Sequence, residues 1–510
     1  MNLALDRDKP VPLAHQIRAH LERLIRERRL AAGAKLPATR ELARDLGVNR
    51  ATVALAYEEL VAAGLAHAHV GRGTFVAPPT SHLDGAGSVN GDAVRAARPA
   101  IDWAALVSRH AQSIAEDDDR RRGFAREAAA SVISFAGGMP DSGLFPTEPF
   151  RRVLNQVVRD EGEKVLQYYA AAGYPPLRSY LARYLLRFGV EARPEEILIV
   201  NGSQQGFDLI ARTFVDPGDV VAIEQPTYPR AAQVFRAFGA QLLAAPWDTE
   251  GPRPDAFQRL VTRHAPKFFY CQPTGHNPTG LAVTAERAEQ LLALAIEHQV
   301  PIVEDGFDAS VHYGTRPAMP LAARDRDGGV LYLGTFSKIL FPGLRLGWIV
   351  APIPVIERLE AAKRVADLHT SALIQAAVHR FCASRLLDRH VTRAAAEYRR
   401  RRDALLAALR RRMPDGVTWT EPSGGFSLLV TLPPSLDAAV VLPDAIERGV
   451  AFTPGAAFFV DGGGAPTLRL SFSGVPVGRI DEGVRRLAEV IRGHVKRTRP
   501  RVERVAVPVV

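Results

Sequence analysis

From Ser131 to about residue 375 the chain repeats one pattern, a short apolar run followed by a turn and then a helical stretch. Seven such runs occur: Ile197–Val200, Val220–Ile223, Gln241–Ala244, Phe268–Tyr270, Pro301–Val303, Val330–Leu333 and Gly347–Val350. Short apolar runs bounded by turns suit strands covered on both faces, and strands joined through helices lie parallel. The pattern therefore predicts a largely parallel α/β sheet. Beyond about residue 375, helices come first and are followed by Gly425–Val430 and Leu468–Phe472, which read as strands of a smaller α+β lobe. There is no internal repeat.

In open sheets of this kind ligands gather beyond the carboxyl ends of the strands, so the residues that close each run carry the chemistry. Gly202-Ser203-Gln204 follows the first run and opens a helix, where backbone amides and the Ser203 hydroxyl can hold a phosphate. Tyr228, in Gln225-Pro226-Thr227-Tyr228-Pro229, offers a flat face for stacking, and Asn277, in His276-Asn277-Pro278-Thr279-Gly280, offers a hydrogen-bond donor. Asp305 closes the fifth run. Lys338 follows the sixth in Thr335-Phe336-Ser337-Lys338, and Arg345 comes seven residues later.

Pyridoxal phosphate chemistry needs an amine, an anion cradle, an acid beside the pyridine nitrogen and a flat residue against the ring. Lys338 supplies the amine, which burial would shift toward the neutral nucleophile. Gly202, Ser203 and Gln204 supply the cradle, completed by Arg345 with Thr335 or Ser337. Asp305 pairs with the ring nitrogen, Tyr228 stacks, and Asn277 reaches the ring oxygen. Singly these signals are ordinary, since most Ser-Lys dipeptides lie on surfaces and most aspartates after strands are turn residues. Their order along the strand ends is what points to a site. A bound amino acid adds a carboxylate, for which a guanidinium fork is the natural partner. Arg469, in Leu468-Arg469-Leu470, is the leading candidate; Arg230 is a second, with solvent as its competing destination. Gly138, in Gly137-Gly138-Met139-Pro140, allows close approach of backbone to a ligand.

The first 77 residues have a different texture. Ile17, Leu21, Leu24 and Ile25 recur at helical spacing between Leu13 and Leu30. Pro37 stops that helix, and Thr39 is expected to cap a second one. Gly47-Val48-Asn49 then makes a turn, with Asn49 capping a third helix through Val53, Tyr57 and Leu60. Helix, helix, glycine turn, helix is the helix-turn-helix order, and Val70-Gly71-Arg72-Gly73-Thr74-Phe75-Val76 reads as a hairpin wing. Arg40, Arg50 and Thr52 fall at the expected DNA face, with Arg72 at the wing tip. The segment 1–76 holds twelve Lys and Arg against eight Asp and Glu. That excess is modest, so the motif carries more weight than the charge.

Residues 78–130 read as a tether rich in proline, glycine and charge, with 102–114 expected as one helix whose Trp103 and Leu106 form a docking face. The formal charge of +10 permits nucleic-acid binding without requiring it. No apolar stretch of membrane-spanning length and no secretory leader pattern is present, and two cysteines, Cys271 and Cys382, do not make a disulfide framework. A cytoplasmic setting is expected, with no membrane partner and no metal site.

Leu36-Pro37-Ala38-Thr39-Arg40-Glu41-Leu42-Ala43, Leu46-Gly47-Val48-Asn49-Arg50-Ala51-Thr52-Val53 and Gly71–Val76 resemble the winged helix-turn-helix of the GntR family. Many GntR regulators carry arginine after the Thr-Val pair, where this chain has Ala54. From Ser131 to about Val490 the chain resembles the fold type I, class I aminotransferases, and joined to the N-terminal segment it resembles the MocR-family regulators. That resemblance implies three parts: a DNA-binding domain over 1–77, a linker over 78–130 and a pyridoxal phosphate-binding domain over 131–495. It implies Lys338 as the Schiff-base lysine, Asp305 at the ring nitrogen, Asn277 at the ring oxygen, and Arg345 with Ser203 at phosphate. It also implies a homodimer in which Tyr168, or adjacent Tyr169, reaches the partner's phosphate. Phe150 stands where the family usually has tryptophan, and Phe307 where it usually has a tyrosine whose hydroxyl helps hold the ring oxygen.

The expected function is transcription regulation at operator DNA, with the cofactor itself, or an amine or amino acid forming an external aldimine, as the signal. GABA, taurine and D-alanine are compatible effectors. The alternative is a working aminotransferase with an accessory DNA-binding head.

Overall fold

The computed structural model describes residues 12–26, 30, 34–62, 65–69, 73–77, 103–108, 110–112, 114–115, 131–306, 310–314 and 317–498. It divides into two units, Met1–Ile101 and Asp102–Val510.

In the first unit, α1 (Leu13–Arg26), α2 (Thr39–Leu46) and α3 (Arg50–Ala62) precede an antiparallel hairpin of β1 (Ala66–His69) and β2 (Gly73–Val76). Ile17, Leu21, Leu42, Val53, Tyr57, Leu60 and Val76 close one buried cluster, so all three helices and the wing share a core. Gly47 takes the left-handed conformation at φ 61° that ends α2. The Asn49 side chain accepts the Ala51 N–H at 3.0 Å, the cap expected for α3. The cap expected at Thr39 is not made: Thr39 is already helical and Ala38 precedes it. Glu41 reaches back to accept the Ala38 N–H at 3.4 Å, so the carboxylate serves the helix start in place of a hydroxyl. Leu36 N–H and Val76 N–H exchange backbone bonds with Thr74 and Ala34, laying residues 34–36 beside the wing.

The second unit is built on a seven-stranded sheet. Its strands are β4 (Ile197–Val200), β5 (Val220–Gln225), β6 (Gln241–Pro246), β7 (Phe269–Cys271), β8 (Ile302–Asp305), β9 (Val330–Thr335) and β10 (Gly347–Val350), in spatial order 4-10-9-8-7-5-6. Each expected apolar run is a strand, two with the expected bounds and five with an end shifted by one or two residues. β5 to β9 pair in parallel, whereas β10 runs antiparallel to both β4 and β9. Alternate residues feed opposite faces: Leu198, Val200, Ile223, Val303 and Leu333 pack on one side, and Ile197, Ile199, Tyr332 and Trp348 on the other.

The smaller lobe holds an antiparallel sheet of Thr418–Trp419, Ser427–Thr431, Thr467–Ser471 and Thr453–Pro454. The entering strand β3 (Ile133–Ser134) pairs in parallel with Val450–Ala451. The single helix expected over 102–114 is instead broken. Trp103–Leu106 forms one turn, and the Ser108 hydroxyl accepts the Ala111 N–H at 3.1 Å, which starts another. Trp103 and Leu106 are both exposed.

Candidate functional site

The carboxyl ends of the parallel strands share one edge, and antiparallel β10 begins at that same edge, which brings Arg345 to it. Gly202 is the residue before the helix Ser203–Phe214 and has φ 78° and ψ 167°, a conformation reserved for glycine. No side chain caps this helix start. A Cβ at Gly202 would lie 2.8 Å from Arg345 Nη2, and Arg345 itself is left-handed at φ 48° and donates to the Asn201 carbonyl at 3.3 Å. Open amides, a bare Cα and a guanidinium thus converge on one small volume, the composition of an anion cradle. Ser203 is half-buried at its rim and Gln204 is exposed.

Lys338 lies in the turn after β9. The Thr335 hydroxyl accepts the Ser337 N–H at 3.1 Å and lies 3.0 Å from Ser337 Oγ and 3.3 Å from the Leu346 carbonyl, which pins that turn to the start of β10. Lys338 Nζ donates to the Gly138 carbonyl at 2.7 Å.

Asp305, at the end of β8, is buried. Its Oδ2 accepts from Tyr270 Oη at 3.0 Å and Gln272 Nε2 at 2.8 Å, while Oδ1 is buried with no partner. Burial pushes its pKa up to about 6, against the hydrogen bonds from Gln272 and Tyr270 and the nearby charge of Lys338. A buried acceptor atom without a donor is costly unless a bound group supplies one.

Tyr228 stands at the start of the helix Pro229–Ala237, half-buried and tilted against Phe207 at 6.4 Å. Burial first, and then the charge of Asp305, raises its phenol pKa. Asn277 precedes a cis proline, and its Oδ1 accepts from Arg469 Nη1 at 3.1 Å. Arg469 Nη2 donates to the Ala136 carbonyl at 2.6 Å and to Thr453 Oγ1 at 3.2 Å, and its Nε is buried without a partner. Every one of these acceptors is neutral. Desolvation pulls the Arg469 pKa down to about 10, as expected for a cation lacking a counter-ion. A Cβ at Gly138 would lie 3.3 Å from Arg469 Nη1, so Gly138 does sit where backbone comes close to this group. Arg230 is exposed and donates to Gln233 at 2.9 Å. Tyr168 is also exposed, edge-on to His369 at 5.9 Å, whereas Tyr169 turns inward against Tyr174.

Residues 136–487 match the family described as aminotransferase class I and II, and residues 13–76 match the bacterial regulatory proteins of the gntR family. Two relatives share both parts. The uncharacterized HTH-type transcriptional regulator YisV of Bacillus subtilis is 31% identical over 490 residues, covering 95% of this chain and 97% of that one. "Probable rhizopine catabolism regulatory protein MocR" of Rhizobium meliloti is 31% identical over 487 residues, covering 95% of each chain. The chain belongs to the MocR-type regulators. The aminotransferase part of this MocR-type chain also resembles the solved structure of LysN, the α-aminoadipate aminotransferase of Thermus thermophilus, in complex with N-(5'-phosphopyridoxyl)-L-leucine. The two are 36% identical with a TM-score of 0.72, covering 78% of this chain and all of that one.

Class I and II aminotransferase folds are pyridoxal phosphate-dependent, and the MocR-type site fits that cofactor on two observations of its own. Asp305 Oδ1 is an orphaned acceptor where the ring N–H needs one, and Gly202 holds a positive-φ backbone with Arg345 Nη2 2.8 Å from where a Cβ would stand. The GntR part makes the regulator a DNA-binding protein. Arg40 and Arg50 are exposed at the starts of α2 and α3, with Thr52 half-buried one turn position on. Arg72 and Phe307 lie outside the described residues. Among the described residues no helix is long and apolar enough to cross a membrane.

Several participants were not legible from sequence. Tyr270 and Gln272 hold Asp305, and their i, i+2 spacing at the end of β7 was the signal that placed both on one face. His276 is buried, stacked on Trp247 at 4.0 Å, with its ring nitrogens 2.7 Å from Thr279 Oγ1 and 3.0 Å from the Pro226 carbonyl. It braces the loop that presents Asn277.

Proposed function

We propose that this MocR-type regulator reads an amine-bearing acid, or pyridoxal phosphate itself, through the site around Lys338, and passes the signal to its DNA-binding domain. The observation that carries the reading is the state of Lys338 and Arg469. Both cations donate to carbonyls of one segment: Lys338 to Gly138, Arg469 to Ala136. A ligand that offers an amine at one end and a carboxylate at the other competes with both contacts at once.

Pyridoxal phosphate, when bound, supplies an electrophilic aldehyde carbon and an electron-withdrawing ring. The chain's residues do the rest. Lys338 would present its amine to that aldehyde, and Asp305 Oδ1, which has no partner here, would accept the ring N–H. Asn277 meets the ring oxygen and Tyr228 lies against the ring. Gly202, Ser203 and Gln204 with Arg345 hold the phosphate, and Thr335 and Ser337 shape the turn beside it. Arg469 takes the ligand carboxylate, with Gly138 allowing its approach. Arg230 is the second cation near the entrance. Two copies of the 131–495 domain pair, with Tyr168 reaching the partner's cradle, and the domain is joined by the 78–130 linker to the 1–77 DNA reader, whose Arg40, Arg50, Thr52 and Arg72 face operator DNA.

Regulation then follows from linkage: ligand binding to one conformation of the domain shifts its population, and with it DNA affinity. Moving 1:99 to 99:1 takes about a 10⁴-fold preference for one state, and a ligand that takes both Lys338 and Arg469 from their carbonyls would discriminate between states that keep those contacts and states that do not. A second reading, slow or full transamination, is favoured by the intact Lys338, Asp305 and Arg469 set. Titrating the cofactor-loaded protein with GABA, taurine and D-alanine while following visible absorption and product release tests both. Spectral change without turnover supports the sensor, and turnover at roughly 1 to 10³ per second supports the enzyme.

A further inference from the structure

Beneath the anion cradle lies a charged cluster that none of the roles above uses. Lys363 and Asp367 stand four residues apart on the helix Ile353–Asp367. The Lys363 side chain is fully buried, and its Nζ donates to Asp367 Oδ1 at 2.9 Å, to Oδ2 at 2.8 Å and to Gln205 Oε1 at 3.1 Å. Asp367 Oδ2 also accepts from Asn201 Nδ2 at 2.5 Å and Gln205 Nε2 at 2.7 Å. Gln205 Oε1 accepts the Asn201 N–H at 2.8 Å, which closes the ring.

The two residues so clamped flank the cradle. Asn201 immediately precedes Gly202, and its carbonyl receives Arg345. Gln205 lies in the first turn of the helix Ser203–Phe214. A half-buried carboxylate this near an anion site is unfavourable by itself, and the fully buried Lys363 beside it offsets its charge. Fixing Asn201 and Gln205 leaves the intervening amides no freedom to turn away. A second observation concerns Leu368, directly after Asp367. It has φ 64° and ψ −63°, a backbone conformation that a leucine holds only where its surroundings impose it.

We propose that Asp367, charge-balanced by Lys363, is a positioning residue that sets the Gly202–Gln204 amides and Arg345 in register for the cofactor phosphate. This rests on the reading of that cradle as the phosphate site. Lys363 is the fully buried member of the pair, and replacing both members together by apolar residues of similar volume commonly preserves folding where removing one charge alone does not, so the double variant Lys363→Met/Asp367→Leu accompanies the single Asp367→Asn.

The full-length wild type and both variants are titrated with pyridoxal phosphate and with pyridoxal, which lacks the phosphate, and the ³¹P resonance of the bound cofactor is recorded. Expected is a wild-type preference for the phosphorylated form that falls about tenfold or more in each variant, with pyridoxal affinity unchanged and the ³¹P signal shifted or broadened. A wild type without phosphate preference overturns the cradle and this proposal with it. A preference that survives in the variants, or equal losses for both compounds, overturns the positioning role and leaves the cradle standing.

Discussion

Lys338 and Gly138, 200 residues apart in sequence, are joined by a 2.7 Å hydrogen bond from the lysine ammonium to the glycine carbonyl. Two residues before Gly138, the Ala136 carbonyl takes Arg469. The segment that leaves β-pairing at Ser134 therefore takes up both Lys338 and Arg469, the cations proposed above to meet the two ends of an amino acid ligand. The segment follows residues 78–130 in sequence, so on the proposed function displacement of its carbonyls carries ligand binding toward the expected linker.

Arg469→Lys should separate the two ends of the ligand. A lysine is a point donor and cannot span Asn277, Ala136 and Thr453 together. Loss of a charged hydrogen-bond pair is worth about 1.5–3 kcal/mol. Amino acids should bind about 10- to 100-fold more weakly, and simple amines without an acid group should be unaffected, as read by spectral titration of the cofactor-loaded protein.

Asp305 predicts a pH dependence. Burial raises its folded pKa to about 6, above the ordinary aspartate value of about 3.9, so between the two the folded state holds a proton that the unfolded state has released. The contribution of Asp305 to the stability of the cofactor-free protein should fall as pH rises from about 4 to about 6, by roughly 3 kcal/mol, and then level off. Glu304, which burial lifts to about 8, acts in the same direction over a higher range. The difference between wild type and Asp305→Asn in thermal melts at each pH isolates Asp305. The Asn variant should be the more stable at pH 7 without cofactor and the weaker binder of it.

Much of this was readable in the sequence because it depends on local pattern. Apolar runs gave all seven strands, and the residues that follow them include Gly202, Tyr228, Asn277, Asp305 and Lys338, which the sheet brings to one edge. Strand direction is not encoded in periodicity, so antiparallel β10, which carries Arg345 to the site, was visible only in three dimensions. Thr39 looked like a cap, yet Glu41 serves the helix start. The 102–114 helix failed because Ser108 prefers to begin a new turn. Asn201 and Asp367 are 166 residues apart, and no spacing rule joins residues at that distance.

Gly202→Ala should damage the cradle selectively. The residue sits at φ 78° and ψ 167°, and the added Cβ would lie 2.8 Å from Arg345 Nη2. The backbone conformation costs a non-glycine residue about 1–3 kcal/mol. Calorimetry should show that loss of stability together with a larger loss of affinity for pyridoxal phosphate than for pyridoxal.

On the DNA side, Arg50→Ala removes an exposed cation at the start of α3. Binding to DNA from upstream of the protein's own reading frame should weaken about tenfold. The slope of log affinity against log salt should become shallower by about one if Arg50 meets a phosphate, and stay unchanged if it reads a base. The same affinity before and after substitution would remove Arg50 from the DNA face.

The most direct test of the account measures that DNA affinity for wild type and Lys338→Ala, with and without pyridoxal phosphate, across the panel of GABA, taurine and D-alanine. A sensor predicts that the cofactor, or at least one ligand added to it, changes wild-type affinity about 5- to 150-fold, that Lys338→Ala loses this response, and that turnover stays far below enzyme rates. Identical DNA affinity under every condition, with turnover of roughly 1 to 10³ per second, would contradict it.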